Sequence, residues 1–217
     1  MLVMDTTYFK GCFGLMVFRD VIEKENVLWK YVKYETIAHY QEGISVLKDK
    51  DFNILGITAD GRRGIFKAFE GTPVQMCHFH QKQIVRRYIT SNPNLEASIE
   101  LKEIVGRLTK TDKESFEGWL DGWFSKWRNF LNEKTVNLET GQKFFTHRRL
   151  RSAYNSLKSN LPHLYTYLKY LDLGMPNTTN SLDGFFCHLK SKVNIHRGLR
   201  IDRKKKIIEE LLSQKSS

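Results

Sequence analysis

Three aspartates stand where apolar segments meet polar ones. Asp5 follows the apolar run "LVM", Asp60 closes "NILGITAD", and Asp183 lies in "NTTNSLDGFF" behind a cluster of small polar residues. Carboxylates are the natural ligands of hard divalent cations such as Mg²⁺ or Mn²⁺. Two such ions about 3.5–4 Å apart can hold a scissile phosphate, one activating the attacking oxygen and the other stabilising the leaving oxygen. That chemistry needs two carboxylates on rigid strands and a third approaching from the side. Each residue also has an ordinary structural role. Asp5 suits a turn at a strand end, and Asp60 with Gly61 forms a common tight-turn pair. With Asn180 as N-cap, Asp183 is the third helical residue of a capping box that has Asp in place of Glu. An acid in a first helical turn is worth ~0.3–1 kcal/mol through the helix dipole.

Cys77 and His80 form a C-x-x-H element in "CHFH". Structural zinc takes four ligands, and no second Cys/His pair lies at comfortable spacing, so a supporting role beside the acids is expected. The basic groups have two concentrations, "HRRLR" from His147 to Arg151 and the run from His188 to Lys206, with a separate pair, Arg62 and Arg63, at the start of the helix after Asp60. The run from His188 includes Lys190, Lys192, Arg197 and Arg200 against one acid, Asp202. Cations next to a carboxylate cluster suit a site that binds and cuts a phosphate backbone, and Arg62, Arg63, Lys190, Lys192, Arg197 and Arg200 are the candidate contacts. Trp119, Trp123 and Trp127 recur every fourth residue and read as the core stripe of a helix.

The chain of 217 residues carries a formal net charge of +11. Such a balance points to a polyanionic partner, nucleic acid first. The longest apolar run, "CFGLMVF", is far too short to span a bilayer, and "MLVMDTTYF" lacks the basic region and cleavage pattern of a signal peptide. Three cysteines without framework spacing indicate a reducing compartment, hence the cytosol. No membrane partner is expected.

The elements that must position these residues follow from pattern. "MLVMD" reads as a strand ending at Asp5. "GCFGLMVFRD" and "ENVLWKYVKYE" read as an antiparallel pair, and Ile37, Tyr40, Ile44 and Leu47 fall at helical spacing. A strand ending at Asp60, a short helix, the strand "TPVQMCHF" and another helix complete residues 1–90. Three leading strands followed by α/β crossovers predict an α/β fold, a mixed sheet with flanking helices of the ribonuclease H-like kind. Residues 91–173 show only helical patterns, with a break near Pro162, and read as an all-helical insertion. Residues 174–217 return to the core with a helix bearing Asp183, then a basic terminal helix.

With these residues in view, the chain resembles the catalytic domain of Mutator-like DDE transposases, a superfamily that includes many bacterial insertion-sequence transposases. The resemblance rests on "VMDTTYF", "GITADGRRG", "QMCHFHQKQIVRRYI" and "NTTNSLDGFFCHLK", with "HRGL" downstream. It implies strand cleavage at insertion-sequence ends followed by strand transfer to target DNA. Asp5, Asp60 and Asp183 would hold two divalent metal ions, Mg²⁺ or Mn²⁺, with Cys77, His80 and Asn180 in support. It further implies double-stranded DNA as partner, a homodimer or larger transposase assembly, and a place in the bacterial cytosol or nucleoid. Two differences stand out. The family's third acid is glutamate, one methylene longer than Asp183. Such enzymes also carry a DNA-end-binding region ahead of the first acid, so an N-terminally truncated chain is expected. Two alternatives stay open: a catalytically inactive remnant that binds DNA or a partner transposase, and a ribonuclease H-like nuclease or resolvase without strand transfer.

Overall fold

The computed structural model describes residues 1–9, 12–195 and 198–213. The chain forms two compact units, Met1–Cys77 with Thr166–Ser217, and His78–Tyr165. The division falls at Cys77, fourteen residues before the composition change at Ser91, so the helix that starts within the C-x-x-H element belongs with the helices that follow it.

The first unit is α/β. Its strands are β1 (Leu2–Phe9), β2 (Phe13–Asp20), β3 (Asn26–Val32), β4 (Ile57–Ala59) and β5 (Val74–Met76), in the order β3-β2-β1-β4-β5. β1, β2 and β3 form an antiparallel meander, while β4 joins β1, and β5 joins β4, in parallel. The sequence order predicted this meander with crossovers. β1 is longer than its apolar lead-in suggests and runs on to Phe9, so Asp5 lies within the strand and not at its end. Residues beyond Asp5 stay in the ladder because each finds a partner on β2, from Asp5 opposite Val17 to Phe9 opposite Phe13.

Each face of the sheet has its own core. Leu2, Met4, Met16, Phe18 and Ile57 pack with Tyr40, Ile44 and Leu47 of α1 (Ile37–Lys48). Val3, Phe9, Leu15 and Val17 pack with Leu182, Phe186 and Leu189 of α7 (Asn180–Ile195) and Ile208 and Leu212 of α8 (Ile201–Ser213). Alternate residues of a strand point to opposite faces, and burial on both faces explains the unbroken apolar run of β2. Thr36 caps α1 by accepting the His39 N–H at 3.2 Å, a standard N-cap bond. Gly43 of α1 lies directly over Phe18, where a Cβ would come within 2.1 Å of the ring. The short helix α2 (Ile65–Ala68) links β4 to β5.

The second unit contains α3 (His78–Ile89), α4 (Glu96–Gly106), α5 (Lys113–Asn132) and α6 (Arg148–Leu164). α3 packs on α4 and α6, and α5 packs on both α4 and α6. Three expectations are corrected here. His78, read as a strand residue, is the first residue of α3 and is fully buried. The segment read as all-helical also holds a hairpin, β6 (Lys134–Val136) and β7 (Lys143–Phe145). Its strands are three residues each, too short for alternation to register, and polar turn residues separate them. The break near Pro162 is absent, since α6 runs through Pro162 to Leu164. A proline in the last turn forfeits little of the helix ladder, and Leu161 and Leu164 on either side are buried.

The tryptophan stripe is only partly core. Steps of four residues drift about 40° around a helix, so the three rings fan out. Trp123 is buried and donates its indole N–H to Ala97 O at 2.9 Å. Trp119 is exposed beneath Arg107, and Trp127 reaches Glu100 at 2.7 Å.

Candidate metal centre

Asp5 and Asp60 come side by side through strand register. β1 pairs with β4 as Leu2 with Ile57 and Val3 with Thr58. The same offset carried forward sets Asp60, the residue after β4, beside Asp5. Asp5 is 7% exposed and alternates with Val3, which places it on the sheet face that α7 covers. Its Oδ1 accepts the Thr6 N–H at 2.8 Å. Asp60 is half-buried, and its Oδ1 accepts the Arg62 N–H at 3.2 Å as the chain turns towards α2. Thr58, two residues earlier, donates its hydroxyl to Pro176 O at 2.8 Å, holding the segment that leads into α7 against this end of the sheet.

Asp183 lies in the first turn of α7, and its neighbour Leu182 packs in the same cluster as Val3. The expected capping box is not what holds it. The carbonyl that accepts the Leu182 and Asp183 N–H groups belongs to Thr179, so Asn180 is the first helical residue and not the cap. Thr179 is fully buried. Its hydroxyl donates to Asp183 Oδ2 at 3.3 Å, and its backbone N–H donates to Cys77 Sγ at 3.3 Å. The Cys77 thiol lies 3.4 Å from the Thr179 hydroxyl oxygen. Because that hydroxyl's one proton goes to the carboxylate, the thiol is the donor there. A buried cysteine at the end of β5 thereby orients the cap that orients Asp183. Sequence reasoning assigned Cys77 a supporting role but missed Thr179, and "TTN" alone does not say which threonine turns inward.

Glu35 is the second residue that sequence reasoning missed. It accepts the Tyr40 hydroxyl at 2.7 Å and pairs with Arg62 at 2.9 Å. Tyr40 also lies 3.1 Å from the Thr6 hydroxyl. Burial, then the nearby charges of Glu35 and Asp60, push the Tyr40 phenol well above its ordinary range. Pairing with Glu35 raises the Arg62 guanidinium further. Thr6, Tyr40, Glu35 and Arg62 therefore form a polar network from the strand beside Asp5 to the turn at Asp60. Nothing in the local sequence "YETIAHY" announces it, because the partners come from β1, α1 and the β4–α2 turn.

The remaining candidates are spread along the same unit, with one exception. Arg63 is exposed, and Arg62 is tied to Glu35. On α7, Lys190 is half-buried and lines a cavity of about 120 Å³ with Phe9, Phe13 and Lys204, while Lys192 is exposed. Arg200 is exposed, 3.7 Å from Asp202. Arg197 lies outside the described residues. His80 is half-buried on α3 of the second unit, its ring edge-on to Phe79 at 5.7 Å. Cys187 and His188 are exposed on α7.

The donor set, three aspartates with oxygen ligands only, matches a hard divalent cation and not zinc. Among the described residues, no three His, Cys, Asp or Glu side chains are gathered closely enough to form a ready metal cluster. No helix among the described residues is long and apolar enough to cross a membrane. No protein-family model matches this sequence, and no curated protein matches it.

Proposed function

We propose that this chain is the catalytic core of a Mutator-like DDE transposase, built on a ribonuclease H-like sheet and acting on double-stranded DNA. The observation that carries the reading is the parallel register of β1 with β4, Val3 opposite Thr58, which carried two residues forward brings Asp60 beside Asp5 on the face where α7 packs. The meander-plus-crossover topology is what a ribonuclease H-like core requires. Asp5, Asp60 and Asp183 would hold two divalent cations, Mg²⁺ or Mn²⁺, which supply activation of the attacking oxygen and charge neutralisation at the leaving oxygen.

The chain's own residues do the positioning. Asp5 is held rigid within a five-stranded sheet. Asp60 is held by the Arg62 N–H, and Asp183 by Thr179. Lys190, Lys192 and Arg200 follow Asp183 along the chain and meet the DNA backbone. Arg62, engaged by Glu35, keeps a positive charge beside Asp60 and contributes less directly. The substrate phosphodiester is cut by water, leaving a free 3′-hydroxyl, which then attacks a phosphodiester of the target.

Aspartate at position 183, one methylene shorter than the glutamate of the family it resembles, favours one second reading, a chain that binds DNA without cutting it. Nicking of supercoiled plasmid by the purified chain in Mn²⁺ separates the two. The catalytic reading expects nicking that Asp60→Asn abolishes. Equal inertness of both chains, with DNA binding retained, establishes the second reading.

A further inference from the structure

The helical unit has a basic, aromatic surface that the proposed chemistry does not use. A groove of about 410 Å³ runs between the C-terminal end of α3, the loop before α4 and the start of α6, lined by Tyr88, Thr90, Asn92, Asn94, Arg148 and Arg149. Arg149 donates to Arg87 O at 2.6 Å, which pins its guanidinium at the groove edge. Arg148 is exposed and sits 5.8 Å from the centre of the Phe144 ring. Phe144 is 40% exposed on β7, on the ribbon face it shares with Thr135 of β6.

The base of this ribbon is braced. His147 stacks on Phe130 with ring centres 3.6 Å apart, and Arg151 lies 3.7 Å over the Phe145 ring while donating to Leu131 O. Glu133 Oε2 lies 3.0 Å from His147 Nε2 and Glu96 lies 3.7 Å from Lys126 Nζ, while Glu139 is exposed in the turn between β6 and β7. The exposed cations Lys134, Lys143, Arg148 and Arg149 outnumber the exposed acids Glu133 and Glu139, and the exposed neutral groups are hydroxyls, amides and flat rings.

We propose that this surface is a second binding site for double-stranded DNA, separate from the acid site. A phosphate backbone lies in the groove against Arg148 and Arg149, with Asn92, Asn94 and Thr90 as neutral donors. The β6–β7 ribbon enters the adjacent major groove, which is wide enough for two antiparallel strands, and Phe144 makes apolar contact with base edges. Charge selects nucleic acid over neutral partners, and the rigid ribbon selects the duplex over a flexible single strand. An acidic protein would satisfy the arginines but leave the Phe144 face without a matching groove.

The test measures anisotropy of labelled 30-base-pair duplex and single-stranded DNA with Asp60→Asn chain in EDTA, across a salt series. Binding is then read without metal or cleavage, so the proposed catalytic function can fail while this site stands, or the reverse. Arg148→Glu is expected to weaken duplex binding about tenfold and to lower the salt slope by about one phosphate contact. Phe144→Ala is expected to weaken it about fivefold at unchanged slope. Lys50→Glu, an exposed charge reversal in the other unit, is expected to change it less than twofold. Circular dichroism checks that each variant is folded. Duplex binding indifferent to Arg148→Glu, an equal loss in Lys50→Glu, or an Arg148 dependence seen only with single strands overturns the proposal.

Discussion

Cys77 Sγ accepts the backbone N–H of Thr179 at 3.3 Å, although the two residues are 102 positions apart. The bond ties the last strand of the first segment to the cap of the helix that returns to it. Removing the thiol strands a buried N–H and deprives a buried hydroxyl of a donor, at a cost of about 1–3 kcal/mol. Cys77→Ala is expected to lower the urea midpoint accordingly, and Cys77→Ser, which keeps a donor and an acceptor, to lower it less. A double-mutant cycle with Thr179→Val should give a coupling of about 0.5–3 kcal/mol. Because valine keeps the backbone N–H, the cycle reads the thiol–hydroxyl contact, and strict additivity would show that this contact is incidental.

Asp183 is the acid whose reach decides the catalytic proposal. Asp183→Glu adds one methylene at the same place on α7 and is expected to increase Mn²⁺-dependent nicking several-fold. Because Asp183 accepts from the buried Thr179 hydroxyl, the change is expected to cost about 1 kcal/mol of stability. Single-turnover nicking measured beside thermal melting checks both. Reduced nicking in the folded variant would show that side-chain reach at position 183 is not what limits the chain, and nicking unaffected by Asp183→Asn would count against Asp183 as a metal ligand.

His78 links stability to pH. Burial pushes its imidazole down from 6.5 to about 4, and its Nε2 bonds to Leu164 O. Between about pH 6.5 and 4 the unfolded chain binds a proton that the folded chain excludes, so stability falls as pH drops through that window. The full loss is ~3 kcal/mol. His78→Gln retains an N–H donor and does not titrate, so its urea midpoint should fall less between pH 7 and pH 4. Equal falls in the two chains would place the acid sensitivity elsewhere.

Gly43 tests packing against propensity. Alanine in a helix gains up to about 1 kcal/mol over glycine. Here the new methyl would meet the fully buried Phe18 ring at 2.1 Å, and overpacking a core costs about 1–3 kcal/mol. The clash outweighs the gain, and Gly43→Ala is expected to lower Tm by several degrees. An unchanged or higher Tm would mean that α1 shifts freely over the sheet.

Much of the first unit was legible in the sequence because its signals are local. The apolar runs of β1 and β2, the helical spacing of Tyr40, Ile44 and Leu47, and the turn after Asp60 each sit within a dozen residues. The strand end at Asp5 was misread because the continuation to Phe9 depends on pairing with β2, which composition does not report. The β6–β7 hairpin escaped for lack of length, and the break at Pro162 was overestimated because buried leucines on both sides hold the helix together.

By itself, the sequence determined the element types of the first unit up to β5, the meander with its crossovers, the basic character and the three candidate acids. Their relation was decided only by tertiary structure. Register across β1 and β4 sets Asp60 beside Asp5, and packing of Leu182 against the Val3 face brings α7 over them. Thr179, not Asn180, caps α7 because Cys77 and Asp183 fold in around its buried polar groups. Glu35, in the loop between β3 and α1, takes Arg62 of the turn after β4 across 27 positions. Hydrogen bonds and ion pairs depend on distance in space. Sequence patterns report distance along the chain, and in this protein the two part company at the site itself.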